Sequence, residues 1–452
     1  MRLASLATLL AALAVAVAAA AGAPIWSSPA TIGTCAPAVA PKVVFPSSWP
    51  SKPSGRGAIL WLGGAPRCRR AATAAGTTLD IASLHSDDLP SIPRTFTGSS
   101  GVLAPLVTAW TSAGQVVAAF GTAAGTVFGE GDASRSLGPL APLGGPGGLV
   151  ATADGYIGDA VVVNTVRRGG EQLIELRPQR HYDGSFERPV TLAVGPAPIV
   201  ALSVAMDFRA DSIVLWAQGG IAYARWITND RHVFPTRTLG PAGYAPQLAA
   251  VLSDNNHAFV MWTDEPPPGS AGTATIYLEH SGDAVTFASP RVLRSFTEPA
   301  GQRLTPGAIT LERLAPSEGV LAAWTWVSGG DFVVSAAGLV SAGPLRTQTL
   351  AQPGADLRLA ALASGPRDDA VAVLEQAPRA ARGFDATHQA ILAARSAGGR
   401  VAFETPVQLA PAALNSAPSV AIDPASDRAV VAWQMTPAGG VPEVAYAVRA
   451  TP

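Results

Sequence analysis

Metal ligation and acid–base catalysis need histidines, cysteines and acids held close together, so those residues come first. The six histidines, His85, His181, His232, His257, His280 and His388, never fall at ligand spacing. Two cysteines, Cys35 and Cys68, are too few for a structural zinc site. No phosphate-cradling glycine loop, His-Glu-x-x-His, EF-hand loop or Gly-x-Ser-x-Gly elbow occurs. Gly144-Gly-Pro-Gly-Gly148 is interrupted by proline and reads as a connecting loop. Acids recur at Asp207, Asp211, Asp254, Asp368, Asp369, Asp423 and Asp427, each between two apolar runs. Asp and Asn favour such turns because they cap their own backbone and tolerate left-handed geometry. No such loop stacks enough oxygens for calcium. The expectation is therefore no cofactor and no metal. The remaining polar residues that could converge lie in unusual links: Thr263–Thr273, Glu375–His388 and the arginine pair 167–168. Arg167, Arg168, Asp264, Glu265, Arg379, Arg382 and His388 are the candidates for a ligand-binding rim, with no catalytic residue assigned.

The elements that must carry this rim repeat along the chain. An apolar run ends in Trp at Trp61, Trp110, Trp216, Trp262, Trp324 and Trp433, and two runs of the same shape end at Asn164 and Leu374. That makes eight copies with a mean period near 53 residues. Short apolar runs bounded by turn residues and rich in β-branched residues are strands. Pro198-Ile-Val200, Pro246-Gln-Leu248 and Pro418-Ser-Val420 open a strand before the run. IAYARW (221–226), TIYLEH (275–280), AILAAR (390–395) and VAYAVR (444–449) follow it. A fourth strand reads aromatic-x-x-Pro-x-x-aliphatic, as in Phe186 to Leu192, Phe287 to Leu293 and Phe403 to Leu409. Proline there suits an edge strand, where its missing N–H faces no neighbour.

Four short strands per period predict an all-β fold, a β-propeller of eight four-stranded blades, with seven as the alternative. The last copy stops at Pro452 after its third strand, whereas Trp26-Ser-Ser-Pro29-Ala-Thr-Ile32 has the fourth-strand pattern with no copy before it. The N-terminal strand is therefore expected to complete the last blade, which removes an open edge. In a propeller the links between second and third strands leave on one face, near the channel mouth, where a rigid ring presents variable loops. The recurrent tryptophans, and Tyr223, Tyr277 and Tyr446 at one strand phase, read as packing residues.

Met1-Arg2, the apolar stretch Leu3–Val17 and the small residues up to Ala23 have the layout of a secretory signal peptide. The apolar core is shorter than a membrane span of about 20 residues. Residues 1–23 are read as the leader and 24–452 as a single propeller domain. In an exported chain the even cysteine count suggests a Cys35–Cys68 disulfide, which would stabilise the fold by roughly 3–4 kcal/mol. Charged residues are 14% of the chain, against roughly 25% in ordinary domains. Its net charge of −1 argues against nucleic-acid binding. Glycine and proline number 85 together, which excludes a mostly helical chain. Lys42 and Lys52 are the only lysines among 31 basic residues, a bias that fits a GC-rich bacterial genome.

The pattern resembles secreted bacterial sialidase-like and BNR-repeat propellers, which carry a Ser-x-Asp-x-Gly-x-x-Trp box between the third and fourth strands. Ser396-Ala-Gly398-Gly-Arg400-Val-Ala-Phe403 keeps the spacing without the Asp and the Gly. Ser281-Gly-Asp283-Ala-Val-Thr-Phe287 keeps the Asp and is one residue short, and Asp183-Gly184-Ser-Phe186 is a remnant. The resemblance implies the fold. The sialidases' three arginines, their Tyr–Glu nucleophile and their Asp acid do not map onto this sequence. The expected function is that of a secreted, non-catalytic, monomeric propeller. It would bind an extracellular glycan or protein, with no nucleic acid and no membrane insertion of the mature chain. The alternatives are a sialidase-like glycoside hydrolase or lyase, and a structural envelope component.

Overall fold

A computed structural model describes residues 26–32, 38–46, 57–63, 78–85, 90–96, 102–298 and 308–449, the last two spans with breaks of one to six residues. The leader, Cys35, Cys68 and Arg382 lie outside the described residues. Among the described residues all 32 named elements are β-strands. No helix there is long and apolar enough to cross a membrane.

The strands form antiparallel meanders of four. Unit 1 runs from Ala38 to Phe96, unit 2 from Val102 to Gly144 and unit 3 from Val150 to Gly195. Unit 4 runs from Ile199 to Pro241, unit 5 from Leu248 to Glu298 and unit 6 from Ile309 to Leu350. Unit 2 carries an extra two-residue strand, Ser136–Leu137. The remaining strands make one seven-stranded sheet rather than two separate ones. Its centre is the 17-residue strand Val407–Asp423, whose first part pairs with Gln389–Ser396 and whose second part pairs with Arg428–Thr436. Units 7 and 8 thus share one continuous strand. At the crossover Asn415 Nδ2 donates to the carbonyls of Gln389 (2.8 Å) and Pro411 (2.9 Å), while Gln389 Nε2 donates to the Asn415 carbonyl. Both side chains are buried. Asn415→Ala strands those carbonyls, so we expect a loss of about 1–3 kcal/mol, read as a lower urea midpoint at unchanged slope.

The outer strand of unit 8 comes from the other end of the chain. Ala30, Thr31 and Ile32 pair antiparallel with Tyr446, Ala445 and Val444. Trp26 bridges Arg449 as Phe186 bridges Gln179, Phe287 bridges Ser281 and Phe403 bridges Ser396. Trp26 therefore occupies the repeat position of those three phenylalanines, as its aromatic-x-x-Pro context predicts.

Eight apolar clusters lie between consecutive units, one at each seam. The last of them joins Val430, Ala432, Val444 and Tyr446 of unit 8 to Ile59, Trp61 and Ala82 of unit 1. First strands of successive units touch, and unit 1 touches unit 8 through Val43 N, which donates to Ser419 Oγ at 3.1 Å. Two of the recurrent aspartates cap turns: Asp207 Oδ1 accepts from the Arg209 and Asp211 amides at 2.9 Å each, and Asp423 Oδ1 accepts from the Ala425 amide at 3.0 Å, whereas Asp254 pairs with Arg313 of unit 6. Asp283 accepts from the Val285 and Thr286 amides (2.9 and 2.5 Å) and from Ser281 Oγ, and those donors hold its carboxyl down at about 2.

Two repeat assignments change. Trp110 ends the first strand of unit 2, opposite Val116, and is not on the second. The turn after it closes through Thr111 N to Gln115 O (2.8 Å) with Gly114 at φ 80°. The second strand is Gln115–Thr122, and its fully buried Phe120 occupies the place of Trp216 and Trp262. Two apolar runs stand in tandem here, and the indole marks the wrong one. Tyr446 is likewise out of phase: Tyr223 and Tyr277 face Trp216 and Trp262 in register, but Trp433 faces Ala445. Tyr446 points instead into the seam with unit 1.

Candidate ligand-binding end of the units

In a meander the links between second and third strands share one end with the entries of the first strands. The rim candidates from units 3, 5 and 7 lie at such links. Arg167 and Arg168 end a strand before a Gly169-Gly170 turn whose φ values, 58° and 90°, suit only glycine without strain. Arg167 is exposed. Arg168 reaches back to Glu175 at 2.7 Å, a buried carboxylate that Arg177 approaches from the other side at 3.5 Å.

Asp264 and Glu265 fasten the link between units 4 and 5. Asp264 Oδ1 accepts from Gly243 N (2.8 Å), and the Glu265 carbonyl accepts from Tyr244 N (2.8 Å). Glu265 is buried. Arg379 pairs with Asp331 of unit 6 at 2.9 Å. His388 is exposed, and its charge adds to the hydrogen bonds from Thr387 that hold the Asp385 carboxyl down. The candidates therefore share one end of their units, but most of them tie links down rather than converge.

The charged pair that breaks the repeat is one the sequence reading passed over. Arg358, on the first strand of unit 7 (Ala355–Ser364), faces Glu375 on the second (Ala370–Pro378). Its Nε and Nη2 donate to Glu375 Oε2 at 2.8 and 2.5 Å. The ring of Phe384 covers the guanidinium at 4.6 Å, and Phe332 of unit 6 meets Phe384 edge-on at 6.1 Å. Two residues before Arg358, buried Asp356 accepts from Phe332 N at 3.0 Å. The Glu375 position follows the recurrent Trp and holds Thr165 in unit 3, Ala217 in unit 4, Thr263 in unit 5, Thr325 in unit 6 and Gln434 in unit 8. Thr165 and Thr263 there use their hydroxyls to accept from the backbone N of Leu149 (2.8 Å) and Gln247 (2.9 Å), at the entry of their own first strands. Every other unit holds a neutral residue at this position, and unit 7 is the departure.

Burial pushes the Glu375 carboxyl up, and the Arg358 guanidinium pulls it back. The arginine side chain is 34% exposed. With one edge on Glu375 and one face on Phe384, it is a held donor able to meet an acceptor oxygen from solution. Asp356 and Glu375 are each committed to a donor of the protein. The only available signal was positional: alignment of the copies shows a carboxylate where threonine recurs.

No family model matches the chain, and no curated protein matches it. Similar solved structures include a protein of unknown function from Dyadobacter fermentans (TM-score 0.43, 11% identity, 94% of this chain and 98% of that one). They also include an ulvan lyase bound to -[GlcA(1-4)Rha3S]- (TM-score 0.43, 11% identity, 85% and 97%). A third is a Hadza microbial sialidase (TM-score 0.37, 10% identity, 94% and 95%).

Proposed function

We propose that residues 24–452 form one secreted β-propeller of eight four-stranded blades, closed by the N-terminal strand. In this reading the propeller binds an extracellular glycan or protein at its second-to-third-strand end without transforming it. The cyclic order of seams supports the closed count, with unit 8 packed on unit 1 as each other unit packs on the next. The single observation that carries the binding reading is the Arg358–Glu375 pair, placed where other units hold neutral residues. Such a pair is weak evidence for a stabilising role, because taking the Glu375 carboxylate out of water offsets much of its attraction to Arg358.

The test is a glycan array run beside a sialoside hydrolysis assay. Removing Arg358 alone would leave a buried carboxylate, so the variant is Arg358→Ala with Glu375→Gln. We expect it to fold with near-native stability and to lose at least tenfold in ligand affinity. Sialoside turnover by the native chain, lost in the double variant, would replace binding by the hydrolase reading.

A further inference from the structure

Away from this end, the seam between units 4 and 5 holds a carboxylate with no hydrogen-bond partner. Glu279 lies on the third strand of unit 5, Gly272–Ser281, opposite Val260. It is 2% exposed, and neither carboxyl oxygen has a hydrogen-bond partner. The same repeat position holds Arg177 in unit 3 and Arg225 in unit 4. Arg225, half-buried, meets two carbonyl acceptors, Leu192 O and Phe234 O, and so satisfies its charge. Glu279 finds no such donors.

Its surroundings are apolar and aromatic. From unit 4 the seam presents Ala224, Trp226, Leu239 and Phe234, and from unit 5 Val260, Trp262, Tyr277 and Phe287. The charged group that faces it is Arg237, on the fourth strand of unit 4 (Arg237–Pro241), whose Nη2 stands 3.9 Å from Glu279 Oε1 and whose side chain is 49% exposed. Tyr277 is the titratable neighbour on its own strand. The third strand of unit 4 turns Ala222, Ala224 and Trp226 into the seam, and the second strand of unit 5 turns Ala258, Val260 and Trp262 into it, with Asp264 at the far end of that strand bound to Gly243 N. His280 packs on the opposite face, against Phe259 and His257. Asp283 is committed to its turn.

We propose that this seam is a proton-operated joint, closed while Glu279 is the neutral acid and loosened when it ionises and draws on Arg237. Burial pushes the carboxyl up to about 7, against the pull of Arg237. An acid whose affinity for its proton rises on folding adds stability below its unfolded value, near 4.5, and loses it as the pH climbs through 7. The strand carrying Arg237 continues into the rim: Pro241 O accepts from Trp262 Nε1 (3.0 Å), and the Gly243 and Tyr244 amides bind Asp264 and Glu265. Loosening the seam therefore also loosens residues 241–244.

The test compares the full chain with Glu279→Gln by urea unfolding and by amide hydrogen exchange at pH 6 and pH 8, corrected for intrinsic rates. Between those pH values the native chain should lose about tenfold in the equilibrium constant for folding, through this group, relative to the variant. Amides 237–244 should lose protection at pH 8 in the native chain and keep it in the variant. A carbon-13 titration of Glu279 in the native chain should show a midpoint near 7, which decides the matter even where the variant folds poorly. A midpoint near 4.5, or a variant with the same pH response as the native chain, overturns the proposal.

Discussion

Deleting Trp26 to Ile32 should leave a chain that no longer stays a stable monomer. The loss is twofold. Buried Ile32 leaves the seam it shares with Phe45, Trp61, Val444 and Tyr446. The strand Glu443–Arg449 also loses its outer partner, including the bond from Ser27 N to Val448 O (2.7 Å) and that from Val448 N to Ser27 Oγ (3.0 Å). Full burial of an isoleucine contributes about 1.5–3 kcal/mol, and each bond roughly 0.5–1.5 kcal/mol net. Together these amount to about 2.5–6 kcal/mol, and the bare edge is a template for a second chain. Light scattering coupled to size exclusion should show concentration-dependent oligomers, and a synthetic peptide of residues 24–32 should restore the monomer. A truncated chain that remains monomeric with an unchanged urea midpoint contradicts closure by the N-terminal strand.

Replacing Trp262 by alanine should cost roughly 3–5 kcal/mol. The indole is fully buried, stacks on Tyr277 with centroids 5.1 Å apart, and donates to the Pro241 carbonyl. It packs in the seam between units 4 and 5, so its loss empties a space bounded by two sheets that cannot collapse separately. Thermal unfolding read by near-ultraviolet dichroism measures this directly. Trp326→Phe is the control, because Trp326 is only partly buried, beside Arg294, and the change keeps the aromatic contact. A shift for Trp262→Ala no larger than the control's would mean that the repeat tryptophans are not packing residues. Unit 3 shows how the same position works without an indole: Asn164 Nδ2 donates to Leu143 O at 3.1 Å, and the backbone near Gly144 moves into the space. A Cβ on Gly144 would meet Thr165 O at 3.2 Å, so the close approach of this strand to unit 3 favours glycine there.

Strand type, the four-strand period and the pairing of the two termini are legible in the chain alone. Each of these rests on local signals: β-branched runs, turn residues at fixed offsets, and a proline that only an edge tolerates. Asp207 and Asp423 were legible as turn caps for the same reason. Tertiary structure decided what local pattern leaves open. Whether Val102–Trp110 or Gln115–Thr122 is the second strand of unit 2 depends on which run neighbours unit 1 and which neighbours the third strand, a matter of partners and not of composition. The fusion of units 7 and 8 through one strand rests on Asn415 and Gln389, which resemble ordinary loop residues until they are seen buried against each other's backbone. The links between second and third strands were legible as one end of the units, and exposed arginines and acids on those long links are what draw notice in a sequence. Arg358 and Glu375 stand inside strands, 17 residues apart, and become a pair only when antiparallel register sets them side by side. Glu279 is the extreme case: in the sequence it is one polar residue in an alternating strand, and only burial against a second sheet turns it into a group whose charge the fold resists.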